Sequence, residues 1–136
     1  VLSVEVDPAT HEIAKQRVGS SPGVELSLAD SLDWLPKVVE SLSGRATFWL
    51  DAHMFPDGKK RALGRLHWPL LEELRLIKQS TKRADHTFLI DDRTAWKTAF
   101  DIDEADVRKV LLEINPGYSF SCVDSLYRKG DILIAT

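Results

Sequence analysis

The sequence predicts an α/β fold with a mostly parallel sheet, helices on both of its faces and an antiparallel hairpin at its C-terminal end. Three observations predict it. Short apolar runs alternate with stretches whose apolar residues recur at helical spacing. Two of the runs, Ala46-Thr47-Phe48-Trp49-Leu50 and Thr87-Phe88-Leu89-Ile90, are nearly continuous in apolar side chains, which suits strands covered on both faces. The segments follow one another as β-α-β-α-β-loop-α-β-α-β-β, so most strands are joined through a helix, the connection that parallel pairing needs.

Taken in order, Val1 to Val6 reads as a Val-rich strand, and Asp7-Pro8 opens a helix to about Val18, with Asp as N-cap and Pro at the first helical position. Gly19 to Gly23 is a loop, and Val24 to Leu28 is a second strand stopped by Ala29-Asp30-Ser31. Trp34, Leu35, Val38, Val39 and Leu42 fall on one helical face, and Ser43-Gly44 ends that helix. After the strand at 46–50, residues 52–69 carry glycines, prolines and the basic residues Lys59, Lys60, Arg61 and Arg65, the composition of a long surface loop. Leu70, Leu71, Leu74 and Ile77 form an amphipathic helix ahead of the strand at 87–90. A helix from Ile102 or Asp103 to about Ile114 stops at Asn115-Pro116-Gly117, and Tyr118 to Val123 and Asp131 to Ala135 make the closing hairpin.

At 136 residues the chain is sized for one domain spanning 1–136. Its 43% apolar and 29% charged residues exclude a disordered tail. Eighteen Lys and Arg against 21 Asp and Glu give a net charge of −3 without a long run of either sign, which argues against nucleic acid as a partner. One cysteine, Cys122, cannot close an intramolecular disulfide, so a reducing, cytoplasmic setting is expected. No apolar stretch approaches the ~20 residues of a membrane span, so no membrane partner is expected.

The acids carry the functional reading. Glu5 and Asp7 follow the first strand, Asp30 and Ser31 the second, Asp51 and His53 the third, and Asp91 and Asp92 the fourth. Ligands on parallel sheets bind beyond the carboxyl ends of the strands. Any one of these acids could be a helix cap. Together, on one sheet edge, they would repel one another unless a cation, protonation or a ligand's donors offset them.

The segments Ser3-Val4-Glu5-Val6-Asp7-Pro8, Leu28-Ala29-Asp30-Ser31, Phe48-Trp49-Leu50-Asp51-Ala52-His53, Pro69-Leu70-Leu71-Glu72-Glu73-Leu74, Leu89-Ile90-Asp91-Asp92 and Gly130-Asp131-Ile132-Leu133-Ile134 resemble the class I methyltransferases that use S-adenosylmethionine. The resemblance covers nearly the whole chain, from that family's second strand onward, and implies its Rossmann-like sheet. It implies that Glu5 accepts hydrogen bonds from the cofactor's ribose hydroxyls, and that Asp30 and Ser31 lie at the adenine. Within the family, Asp51, Asp91 and Asp92 look like the metal-binding acids of the cation-dependent O-methyltransferases. They would hold Mg2+, with Asp51 and His53 at the catalytic centre, His53 as general base or as a partner that orients the ligand acids, and a small-molecule acceptor as substrate. His67 and Trp68 would line the acceptor pocket, Trp96 would cover it, and the basic residues of the loop would attract an anionic acceptor. His11 and His86 have no motif around them.

The family's first strand and glycine-rich turn would precede Val1. The glycines at 19, 23, 44, 58, 64, 117 and 130 form no such cluster. The resemblance therefore predicts an N-terminally incomplete domain, with an apolar gap or an unpaired edge at the sheet centre and self-association through it. A phosphoacceptor receiver domain would carry its acidic pair before the separate Asp, which is the wrong order here. A dinucleotide oxidoreductase would need the same missing glycine turn. The alternative from another class is a non-catalytic module that keeps the scaffold and recruits a partner, including a second copy, through the exposed edge.

Overall fold

The computed structural model describes residues 1–53 and 64–136. Most of the expected loop, with Lys59, Lys60 and Arg61, lies outside the described residues. The elements are β1 (Leu2–Glu5), α1 (Pro8–Val18), β2 (Glu25–Leu28), α2 (Ser31–Ser41), β3 (Thr47–Leu50), α3 (Leu70–Ser80), β4 (Thr87–Ile90), a 3-10 turn (Arg93–Ala95), α4 (Trp96–Ala99), α5 (Glu104–Ile114), β5 (Phe120–Val123) and β6 (Ile132–Ala135). Every predicted strand and helix is present, and the 3-10 turn with the short α4 is an addition.

Three helices start on an Asp cap. Asp7 Oδ2 accepts from Thr10 N–H at 2.8 Å, Asp30 Oδ1 from Leu32 N–H at 2.9 Å, and Asp103 Oδ1 from Ala105 N–H at 3.1 Å. Each occupies a donor that the helix leaves open, worth about 1 kcal/mol. α2 runs through Pro36, which removes one intrahelical bond, because Leu32, Leu35 and Val39 are buried along its inner face.

The strands form two sheets where the sequence suggested one. β1 pairs with β2 in parallel, and a separate sheet has the order β3-β4-β6-β5. This second sheet is mixed: β3 and β4 are parallel, and β6 runs antiparallel to both β4 and β5. The expected antiparallel hairpin is added at the β4 edge of the parallel β3–β4 pair. It inserts its last strand beside β4, and Leu133 and Ala135 are fully buried there. β3 also differs from expectation, since Phe48 and Leu50 are buried while Thr47 and Trp49 are exposed, the alternation of a strand covered on one face.

α3 packs against both α2 and α5, and its Leu74 and Ile77 meet Phe88, Ile90, Val107 and Leu111 in the core. β1 pairs only with β2, and β3 only with β4. A cleft of about 1280 Å³ lies against both strands, bordered by Val1 to Val6 and by Ala46 to Leu50. Consecutive residues border it regardless of which way their side chains alternate, so the backbone edges themselves face the space. No described helix is long and apolar enough to cross a membrane.

His86 is buried just before β4. Ala46 N–H donates to its Nδ1 at 3.1 Å, Thr81 Oγ1 lies 2.9 Å from Nε2, and Phe48 packs edge-on against the ring. Nδ1 is thus an acceptor and the ring is neutral. Burial holds its pKa below the ordinary 6.5, so the stability it contributes is present above that value and is lost on acidification. In urea titrations His86→Gln is expected to be less stable than the parent at neutral pH and to lose less between about pH 7 and pH 5; parallel losses would remove His86 from the acid response.

Candidate functional site

The site is built on the pairing of β3 with β4. Leu50 stands opposite Ile90, and Asp91 N–H donates to Leu50 C=O at 3.1 Å. The next residues, Asp51 and Asp91, consequently leave adjacent strands side by side. Partial burial pushes the Asp51 carboxyl up, the neighbouring Asp91 and Asp92 push it further, and His53 opposes them.

Asp92 follows in the left-handed region at φ 55°, a conformation that few non-glycine residues adopt and that Asp tolerates better than most. The turn is held from three sides. Trp96 is buried and donates its Nε1–H to Asp91 C=O at 2.9 Å. Arg93 N–H donates to Asp131 C=O at 2.8 Å. The Asp131 carboxylate accepts from Thr94 N–H, Thr94 Oγ1 and Ser125 Oγ, and these donors keep its pKa low despite burial. The result aims Asp92 at His53, whose Nε2 lies 2.7 Å from Asp92 Oδ2 and 3.5 Å from Asp51 Oδ1. Trp68 and Phe100 stack at 3.8 Å, and each ring centre lies within 5.5 Å of the imidazole. His53 is therefore turned inward, and Trp68 packs beside it. Trp96 supports the acidic turn from the core.

Asp51, His53 and Asp92 bring one ligand atom each within 4.8 Å of one another, and so do Asp91, Asp92 and Asp131. The expected trio of Asp51, Asp91 and Asp92 does not occur as one such group. In the second group Asp131 is already saturated by its donors. The first group, two carboxylates and an imidazole, suits a divalent ion, and its nitrogen favours Mn2+ or Zn2+ over the all-oxygen shell of Mg2+.

The large cleft collects the other predicted residues: Glu5, Asp30, Ser31, Asp51, His53 and His67 all border it. Glu5 Oε1 accepts from Asp7 N–H at 2.7 Å. Asp30 is more committed, because Oδ1 caps α2 and Oδ2 accepts from Arg65 N–H at 2.6 Å. Arg65 also pairs with Asp33 at 2.9 Å, so this member of the basic cluster is bound to acids. His11 lies on α1, outside the cleft, and His86 is structural.

Glu73 was not singled out from the sequence, and it is the most perturbed acid described. It sits on α3 and is 2% exposed, and it borders both the cleft and a small pocket lined by Asp51, Asp91 and Asp92. Burial pushes its carboxyl up to about 7, a hydrogen bond from Ser31 opposes this, and Asp30 and Asp51 add to it. A signal was available: position 73 is three residues after Leu70 and four before Ile77, on the apolar face of an amphipathic helix.

No protein-family model matches the sequence, and no curated protein matches it.

A carboxyl whose folded pKa is raised makes the folded state bind more protons between its unfolded value of 4.5 and about 7. Stability then falls as the pH rises through that window. Glu73→Gln is expected to remove a loss of roughly 2–3 kcal/mol between pH 5 and pH 8. Urea midpoints of the two proteins at both pH values check this, and parallel curves would contradict it.

Proposed function

We propose that this domain transfers a methyl group from S-adenosylmethionine to an oxygen of a small molecule, with a divalent cation at Asp51, His53 and Asp92. One observation carries the reading: the ends of β1, β2 and β3 deliver Glu5, Ser31, Asp51 and His53 to a single cleft. Trp34 and Trp49 border it too, providing aromatic surface for a flat organic ligand. Glu5 would accept from the ribose hydroxyls with the lone pairs that its bond from Asp7 N–H leaves, and Ser31, which donates to Glu73, would accept from the base, since both oxygens of Asp30 are engaged within the protein. When bound, the cofactor supplies an electrophilic methyl group and the cation acidifies the acceptor hydroxyl. The chain's own residues bind and orient: Asp51, His53 and Asp92 would hold the cation, Trp68 and Phe100 fix the imidazole ring, and the proton of the acidified hydroxyl leaves to water.

A second reading is favoured by the free edges of β1 and β3 along the cleft. In it the domain is a non-catalytic module that associates with a second copy through those edges.

Calorimetric titration with S-adenosylhomocysteine, with and without Mn2+ or Mg2+, separates the two. The first reading expects binding that weakens at least about tenfold in Glu5→Ala, with cation affinity unchanged. A well-folded sample that binds no cofactor and elutes as a dimer supports the second.

Asp92→Asn keeps a residue tolerant of the left-handed region. Its stability is expected within about 0.5 kcal/mol of the parent, while Asp92→Ala costs about 1 kcal/mol more. Both are expected to weaken Mn2+ binding by about tenfold or more in paramagnetic titrations; unaltered affinity would remove Asp92 from the cation site.

A further inference from the structure

Glu73 Oε2 has no hydrogen-bond partner among the described residues, although the side chain is 98% removed from solvent. Buried polar atoms are almost always paired. The hydrogen bond from Ser31 leaves this oxygen unmet, and the charges that act on the carboxyl, Asp30 and Asp51, are both negative. Arg65 is occupied by Asp30 and Asp33. Packing does not call for an acid at this position either, since Leu70, Leu74 and Ile77 fill the same face of α3.

We infer that Glu73 is the recognition residue of a subsite for an organic ammonium group, a protonated amine carried by the small molecule that the cleft holds. A bare metal ion does not fit as well, because Glu73 belongs to neither group whose ligand atoms converge within 4.8 Å. An ammonium group presents three donors in different directions. It meets the orphaned oxygen with a charged donor and offsets the carboxylate's own charge, whereas a neutral hydroxyl satisfies the oxygen alone. Trp34 borders the same cleft and supplies surface for the organic body, and an aromatic face also favours a cation. The inference rests on the proposed reading of the cleft as a small-molecule site, and adds that the acceptor is an amine.

The test compares 2-phenylethylammonium with the neutral 2-phenylethanol in amide NMR titrations at about pH 8 and fixed ionic strength. The expected result is a preference of about tenfold or more for the ammonium, abolished in Glu73→Gln while the alcohol's affinity is kept. The comparison on the parent protein requires no variant to fold. Equal affinities, a preference that survives Glu73→Gln, or binding of neither probe would overturn the inference. S-adenosylhomocysteine binding without the ammonium preference sinks the subsite and spares the methyltransferase. The preference without S-adenosylhomocysteine binding does the reverse.

Discussion

The register between β3 and β4 is the constraint on which the candidate site depends. Parallel neighbours lie about 4.8 Å apart, and Leu50 stands opposite Ile90. Asp51 and Asp91 must therefore emerge abreast, at a separation where Asp91 pushes the Asp51 carboxyl up. The hydrophobic core fixes this register, because Phe48, Leu50, Phe88 and Ile90 are all buried. A slip by one residue would turn these side chains to the other face. The electrostatic tension at the strand ends is thus imposed by apolar packing several residues away.

Much of the surrounding structure answers that tension. His53 comes in from the loop after β3, steadied by Trp68 and Phe100, and lowers the cost of ionising Asp51. Asp92 takes up a left-handed conformation to reach it. The strain is small, on the order of 1 kcal/mol, and is held in place by groups from the other end of the chain. Asp131, at the entry to β6, binds the turn through its carboxylate and its carbonyl. The insertion of β6 beside β4 therefore does two jobs: it completes the core with Leu133 and Ala135, and it clamps the turn that carries Asp92. Trp96 braces the same turn from beneath through Asp91 C=O.

The sequence made the elements legible wherever one physical cause dominated. Asp7 before Pro8, and the apolar phase of α3 and α5, determine their segments locally, and the structure follows them. The mixed sheet was less legible, because strand order depends on which edges pair, and no pattern within a segment records its distant partner. β3 shows a related limit. Trp49 made its run look buried on both faces, yet a large aromatic at an edge that borders a cleft can stay exposed. In the site, the strand-end acids indicated where to look, but which of them lie beside His53 depends on the turn after β4. The resemblance put Asp51, Asp91 and Asp92 together as metal acids, whereas the left-handed turn groups Asp92 with Asp51 and His53, and also with Asp91 and Asp131. Glu73 was legible in principle, as an acid in an apolar helical phase, but it does not follow a strand and so escaped a search confined to strand ends.

Strand-end acids serve both as caps and as ligands, and their hydrogen-bond partners separate the two uses. Asp30 commits both carboxylate oxygens to backbone donors, and Asp131 is met by three donors. A ligand approaching either would have to displace bonds that the fold uses, so their contribution is to shape. Asp51 and Glu73 are in the opposite condition. Both have carboxyls pushed up, first by burial and then by neighbouring acids. His53 meets Asp51 only in part, and Glu73 Oε2 meets no donor among the described residues, so both carboxyls are eased by protonation or by a ligand's positive charge. Both border the same cleft. The acids whose carboxyls burial pushes up are therefore concentrated along the cleft, and the ones held by backbone and hydroxyl donors form the walls that bring them there.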